Sequence, residues 1–324
     1  MAEPVRLGFI GCGGNARGHI GRVATDPNAQ IVAVCDVVEE LAAKTAAEHN
    51  AKAFTSHKAM LDAGGLDAVY ISIPVFAHGE PEMDAMDAGL PFLVEKPVAI
   101  NLELAQRIAA RVRETNTLTC AGYQLRYTNS ARSTKAFLAD QTVGMAVGRY
   151  WCPTGRGAKT WLRTFAQSGG QIVEQATHTV DMMRFLCGEV VEVYSTQANR
   201  TLKDIDCADH TVTTLTFASG AVGCLTTCWA FDGWDGNIVD IFFDRYRLTW
   251  GAGQAAVSPE CEGFAVATDP EPTIDQVFVE AVRTGDGSAI LSTYDDAVKT
   301  LAITLAANDS ARDGQPKRVG INAV

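Results

Sequence analysis

No stretch of the 324 residues stays apolar for anything near the roughly 20 positions that cross a bilayer, so no membrane-spanning helix is expected. Positive charge is scarce: 27 Lys and Arg against 38 Asp and Glu leave a net charge of -11. Proteins that grip phosphate backbones usually present a basic face, so nucleic acid is not an expected partner. A paired set of cysteines is also missing. The nine cysteines are an odd number scattered through apolar surroundings, which reads as reduced core thiols and not a disulfide framework. Cys207-x-x-His210 and Cys224-x-x-x-Cys228 have no second ligand pair at the spacing of a closed site, so no metal is expected. The start, Met1-Ala2-Glu3-Pro4-Val5-Arg6, lacks the basic region and long apolar core of a secretory signal, and a cytoplasmic address is expected. Internal repeats, low-complexity tracts and long linkers are absent as well.

What the chain does contain is enough apolar residue, 47%, to fill more than one core. At this length two domains are expected. Val5-Arg6-Leu7-Gly8-Phe9-Ile10 reads as a buried strand, and Gly11-Cys12-Gly13-Gly14-Asn15-Ala16 follows it as G-x-G-x-x-A. Such a turn lets the backbone approach a pyrophosphate, whose charge the next helix's amino end stabilises. The next strand, 31–35, ends in Asp36, where a dinucleotide fold keeps the carboxylate that binds the adenosine ribose. Strand-like runs at 66–74, 92–94 and 118–122 alternate with helical ones, including 77–88 and 102–114, which predicts parallel crossovers and a doubly wound sheet. Glu95-Lys96-Pro97 directly follows the strand at 92–94, at the sheet edge where open α/β folds bind ligands. A solvated pair in a turn is the other reading of that tripeptide.

Beyond Gly122 the texture changes to one helix at 131–139 and then long β-branched or alternating runs at 146–151, 190–197, 211–217, 221–229 and 238–243. The expectation is an α+β domain with one large, mostly antiparallel sheet, giving domains 1–122 and 123–324. Helical sequence at 273–284 and 294–311 covers one face and leaves the other open, so a homo-oligomer, dimer or tetramer, is expected through that face. Between the strands, 170–184 reads as one helix with Glu174, His178 and Asp181 on one face, at i, i+4 and i+7.

These residues together resemble the Gfo/Idh/MocA oxidoreductases, named for glucose-fructose oxidoreductase, inositol dehydrogenase and a rhizopine-catabolism protein. The match runs nearly end to end. It takes in the glycine turn with Asp36, Ile71-Ser72-Ile73-Pro74 with His78 and Glu80, and Glu95-Lys96-Pro97. It continues through Gly122-Tyr123-Gln124-Leu125-Arg126-Tyr127, the helix at 170–181 and the runs 208–223 and 294–311. The resemblance implies a Rossmann domain plus an open-faced sheet domain, with NAD (NADP being the second choice) between them and hydride transfer at a hydroxyl-bearing carbon of a sugar, inositol or sugar derivative. Gly11, Gly13, Gly14, Asn15, Ala16 and Asp36, with Ser72, Pro74, His78, Glu95 and Lys96, are then the expected cofactor residues. Lys96 becomes the active-site lysine, His178 the acid/base, and Glu174 stands where many members have aspartate. The family's Asp-x-Gly-x-His is Glu174-Gln175-Ala176-Thr177-His178 here, which points to a subgroup with different substrate geometry.

The chemistry is consistent with that resemblance. Removing a hydride from a carbinol carbon requires the hydroxyl proton to leave, and imidazole accepts it near neutral pH. An ammonium on the same oxygen stabilises the developing alkoxide, so Lys96 and His178 are expected to serve one substrate oxygen from opposite domains. Trp151, Arg156, Trp161 and Arg163, in an aromatic and cationic loop, are expected to meet the sugar ring together with Arg126 and Tyr127. Two other functions fit the same motifs, a glycosidase using NAD for transient oxidation and a non-catalytic NAD-binding sensor. Presence of both Lys96 and His178 argues against the sensor.

Overall fold

The computed structural model describes residues 3–155 and 160–320. The first half carries β1 (Val5–Ile10), α1 (Gly14–Val23), β2 (Ala29–Cys35), α2 (Glu39–His49), β3 (Lys52–Phe54), α3 (His57–Asp62), β4 (Ala68–Ile71), α4 (Glu80–Asp87), β5 (Phe92–Val94), α5 (Leu102–Thr115) and β6 (Thr119–Ala121). Then follow α6 (Asn129–Leu138), β7 (Val143–Trp151), α7 (Phe165–Ser168), α8 (Gln171–Glu174), α9 (Thr177–Cys187), β8 (Val190–Ala198), β9 (His210–Phe217) and β10 (Val222–Cys228). The chain finishes with β11 (Asp235–Phe243), β12 (Tyr246–Gly251), β13 (Gln254–Ser258), α10 (Ile274–Thr284), α11 (Tyr294–Asp313) and β14 (Lys317–Arg318). Two compact units result. One comprises Met1–Ala99, Glu103–Gly122 and Pro272–Val298; the other comprises Ile100–Leu102, Tyr123–Glu271 and Lys299–Val324.

The single expected boundary near Gly122 is therefore one of several crossings. Pro272–Val298, expected in the second domain, belongs to the first unit. The reason lies in α10, whose Ile274, Phe278, Val279 and Ala281 form an apolar face buried against α1 and β1. Its ends are locally encoded, by a Thr273/Gln276 capping box and by Gly285 in the left-handed conformation.

In the first unit six parallel strands run in the order β3-β2-β1-β4-β5-β6. Strand order reverses between β1 and β4, and ligands of open α/β sheets bind at the carboxyl ends of strands flanking such a reversal. The central strands are buried on both faces, as the unbroken runs Leu7–Ile10 and Ala68–Ile71 require. α5 shows the complementary pattern, burying Ala105, Ile108, Ala109 and Val112 along one stripe.

In the second unit eight strands run β13-β12-β11-β7-β10-β9-β8-β14, antiparallel except where β7 meets β10. One face is buried, and α9 packs there on β7 and β11. Gly148 admits that helix, since a Cβ would stand 2.6 Å from Met183 Sδ. The other face leaves Val212 and Val222 each 52% exposed, with Tyr194 at 43% and Met145 at 38%.

Candidate active site

At the sheet reversal, β1 runs into Gly11, whose φ of +97° suits glycine, and a Cβ there would stand 2.1 Å from the Ser72 carbonyl oxygen beyond β4. Nothing lies within 4 Å of the Cβ positions of Gly13 and Gly14, and Gly14 and Asn15 are exposed at the amino end of α1. Asp36 braces this turn: its Oδ2 accepts from Cys12 N–H and its Oδ1 from Val38 N–H, each at 2.9 Å. Each oxygen keeps a lone pair for a ribose hydroxyl. Beside it Val37 and Val38 are 88% and 54% exposed and carry no charge to meet a 2'-phosphate. An open turn, exposed helix amides and a carboxylate fit NAD. Cys12 and Cys35 nearby are buried thiols, each pushed up to about 11 by burial, and so are not nucleophiles near neutral pH.

Lys96 follows β5 and is half-buried, with Ser72 and Pro74 likewise half-buried after β4. Two expected cofactor residues are placed otherwise. The His78 side chain is sealed in the interior, its Nδ1 2.5 Å from Glu82 Oε1, while Glu82 Oε2 accepts from Gly79 N–H at 2.6 Å. This pair fixes the start of α4 and presents no imidazole surface to a ligand. Glu95 is buried too, and its Oε1 meets His19 Nε2 at 2.9 Å. Both residues follow strands at a ligand-binding edge, but tertiary partners, Glu82 for His78 and His19 for Glu95, turn their side chains inward.

In the second unit the expected single helix is two: α8 ends at Glu174 and α9 begins at Thr177, with Gln175 and Ala176 between them. Ala176 has ordinary helical φ and ψ and is buried among Tyr150, Cys152 and Trp229, so glycine is not needed there. Glu174 is buried and His178 half-buried in the first turn of α9. The Tyr123 ring meets the His178 ring edge-on, centroids 6.0 Å apart, and Tyr123 Oη lies 2.9 Å from Thr177 Oγ1. Asp181, the third member of the expected polar stripe, accepts from Arg126 Nε at 2.8 Å and Nη2 at 2.6 Å, and from Thr300 Oγ1 at 2.9 Å. Arg126 was expected at the substrate; its fork is committed to Asp181 in the interior, where the pair anchors α9 one turn beyond His178.

The loop residues are dispersed. Trp151 lies on the open face of the sheet, where its Nε1 donates to Thr226 Oγ1 at 3.1 Å and Arg149 stacks 6.0 Å above it. Alternation along β7 explains this correction: Tyr150 points inward, so Trp151 points to the face opposite α9. Tyr150, at the head of that aromatic and cationic loop, is the ring that reaches the helix break. Its Oη donates to Gln175 Oε1 at 2.9 Å, and burial first, then the neighbouring Cys152 and after it Glu174, raises its phenol well above its ordinary range. Arg163 is paired with Asp204, Trp161 is half-buried and Tyr127 is buried, while Arg156 lies outside the described residues. Among the described residues no His, Cys, Asp and Glu cluster has the makings of a metal site, and no helix is long and apolar enough to cross a membrane.

A model of the oxidoreductase family with an NAD-binding Rossmann fold matches residues 5–123, and one of the GFO/IDH/MocA C-terminal domain matches residues 141–249. Scyllo-inositol 2-dehydrogenase (NAD(+)) of Bacillus subtilis is 24% identical over 99% of this chain and 98% of its own length. Among solved structures, levoglucosan dehydrogenase in complex with NADH and levoglucosan superposes with a TM-score of 0.87 at 19% identity, over 98% of this chain and 100% of that one. The WlbA dehydrogenase of Bordetella pertussis, in complex with NADH and UDP-GlcNAcA, gives 0.86 at 22% identity over 99% and 100%.

Proposed function

This chain belongs to the Gfo/Idh/MocA family of NAD-binding oxidoreductases, and we propose that it moves a hydride between NAD and a hydroxyl-bearing carbon of an inositol, a sugar or a sugar derivative. The observation that carries the reading is the end of β5, where Lys96 emerges two strands from the Gly11 turn in a sheet that reverses between β1 and β4. The substrate class is supported by the full-length likeness to an inositol dehydrogenase and by a half-buried imidazole at His178 and a buried carboxylate at Glu174 four residues before it, hydrogen-bonding groups suited to hydroxyls.

NAD, when bound, supplies the hydride acceptor or donor. The turn at Gly11 to Asn15 would hold its pyrophosphate with backbone amides, and Asp36 would hold its ribose hydroxyls. His178 accepts the substrate hydroxyl proton during oxidation and returns it during reduction. Lys96, at the end of β5, stabilises negative charge that develops on a substrate oxygen in the transition state. Glu174 orients the imidazole or binds a neighbouring hydroxyl; its extra methylene relative to aspartate moves that contact outward. Tyr123, packed on the His178 ring, limits its rotation. The open sheet face with Val212, Val222, Tyr194 and Met145 is the contact between copies of the chain, because exposed apolar residues gather on one face of adjacent strands. Nine free thiols suit the cytoplasm. A panel of inositols, aldoses and polyols, assayed with NAD and NADP for reduced-nicotinamide absorbance, tests the proposal. Failure of every cyclic polyol and sugar to reduce either cofactor would refute it.

A further inference from the structure

α1 carries His19 on its buried face, and the imidazole stands between two carboxylates. Nδ1 donates to Asp275 Oδ1 of α10 at 2.5 Å and Nε2 donates to Glu95 Oε1 beyond β5 at 2.9 Å. A neutral imidazole has one N–H, so only the imidazolium can donate to both. Burial opposes the charge, but hydrogen bonds to Asp275 and Glu95 outweigh it and push His19 up to about 9. Arg22, one turn along α1, donates to Asp275 Oδ2 and keeps its Nη2 3.1 Å from His19 Nδ1. The Tyr70 ring of β4 lies 5.5 Å from the imidazole. Two cations thus face two anions, and the cluster closes without net charge.

Glu95 uses its second oxygen as well. Oε2 accepts from Lys96 N–H at 3.0 Å and rests against Gly122, where a Cβ would stand 2.9 Å from it. The carboxylate is therefore held at both ends, and it cannot turn without disturbing the backbone of Lys96. We propose that His19 is a positioning residue for Lys96: clamped between Asp275 and Glu95, it fixes the carboxylate that holds the Lys96 N–H and so fixes where the Lys96 ammonium stands. The same clamp ties that position to the helix that begins at the glycine turn. A buried ion cluster is by itself weak evidence of stabilisation; this one joins α1, α10 and the end of β5 at the residue next to Lys96. The significance for catalysis rests on the role of Lys96 proposed above.

Competitive acetylation of the full-length protein with acetic anhydride, read by peptide mass spectrometry, follows each lysine without turnover. In His19→Gln, which keeps size and one donor but removes the charge, Lys96 is expected to label about fivefold faster, the weight of one ordinary hydrogen bond. Lys44 and Lys58, whose side chains are 67% and 68% exposed, should label at the wild-type rate. On a substrate from the panel, kcat should fall by up to about 100-fold, the effect of a misplacement near 1 Å. KM for NAD should move less than about threefold, because the glycine turn would hold its phosphates. Adding Glu95→Gln removes the unbalanced charge and should return Lys96 labelling toward wild type. Unchanged Lys96 labelling in folded His19→Gln overturns the proposal. If that variant does not fold, Asp275→Asn is read the same way, because it releases the far end of the clamp. Altered labelling together with a Lys96→Met enzyme of wild-type kcat upholds the positioning and refutes the catalytic role of Lys96 instead.

Discussion

Replacing His19 by Gln should also change how stability depends on pH. The imidazole side chain is 3% exposed, so solvent screens its contacts little. Its ordinary value of 6.5 is raised to about 9 in the folded protein, and at about 1.4 kcal/mol per pH unit this corresponds to roughly 3 kcal/mol. The folded state holds the proton more tightly than the unfolded chain. That contribution is therefore complete below about pH 6.5 and is lost as pH rises through about 9. Urea unfolding of wild type and His19→Gln, followed by far-UV circular dichroism at intervals from about pH 6 to 10, isolates the effect, because other titrating groups are common to both proteins. The stability gap between the two should be widest at the acidic end and should narrow by roughly 3 kcal/mol across the range. A gap that stays flat would refute the reasoning, since it would mean that His19 carries no proton between its carboxylates.

His178→Asn and Lys96→Met should each lower kcat by about 10²- to 10⁴-fold while NADH affinity, by fluorescence titration, changes less than about tenfold; near-wild-type kcat in both would sink the catalytic assignment. Asp36→Ala should narrow the preference for NAD over NADP by about ten- to a hundredfold in kcat/KM, the loss of a charged hydrogen bond, and equal use of both cofactors by wild type would contradict the reading. The Asp209 carboxyl is buried, yet the N–H groups of Leu202, Arg200 and Thr201 and the His210 ring hold it down at about 2 against an ordinary 3.8. The stability it contributes, roughly 2 kcal/mol, should be present above about pH 4 and vanish as pH falls through about 2, so an acid unfolding curve shared by wild type and Asp209→Asn would count against it. If the open face joins copies of the chain as proposed, Val212→Glu should lower the mass read by light scattering, and an unchanged mass would remove that face as the contact.

The sequence by itself determined most of the architecture. Buried parallel strands need apolar residues on both faces, so β1, β4 and β5 announce themselves, and a glycine turn after one strand with an acid at the end of the next is legible because that combination suits a dinucleotide. The alternating runs from 190 to 243 likewise declare a half-covered sheet. What the sequence left open was direction and partnership. Trp151 and Tyr150 are neighbours, and a one-residue step along β7 decides which of them faces α9. Arg126 and Asp181 are 55 positions apart, and only folding shows that the expected substrate donor is committed to an ion pair. Asp275 sits 256 positions from His19, on a helix whose apolar face draws it back into the first unit. An acid on an otherwise apolar stripe and a histidine on the buried side of α1 were the available signals, and neither names its partner. Local pattern encodes which surface of an element is buried; the charges that meet there are set by which elements pack together, a property of the tertiary fold.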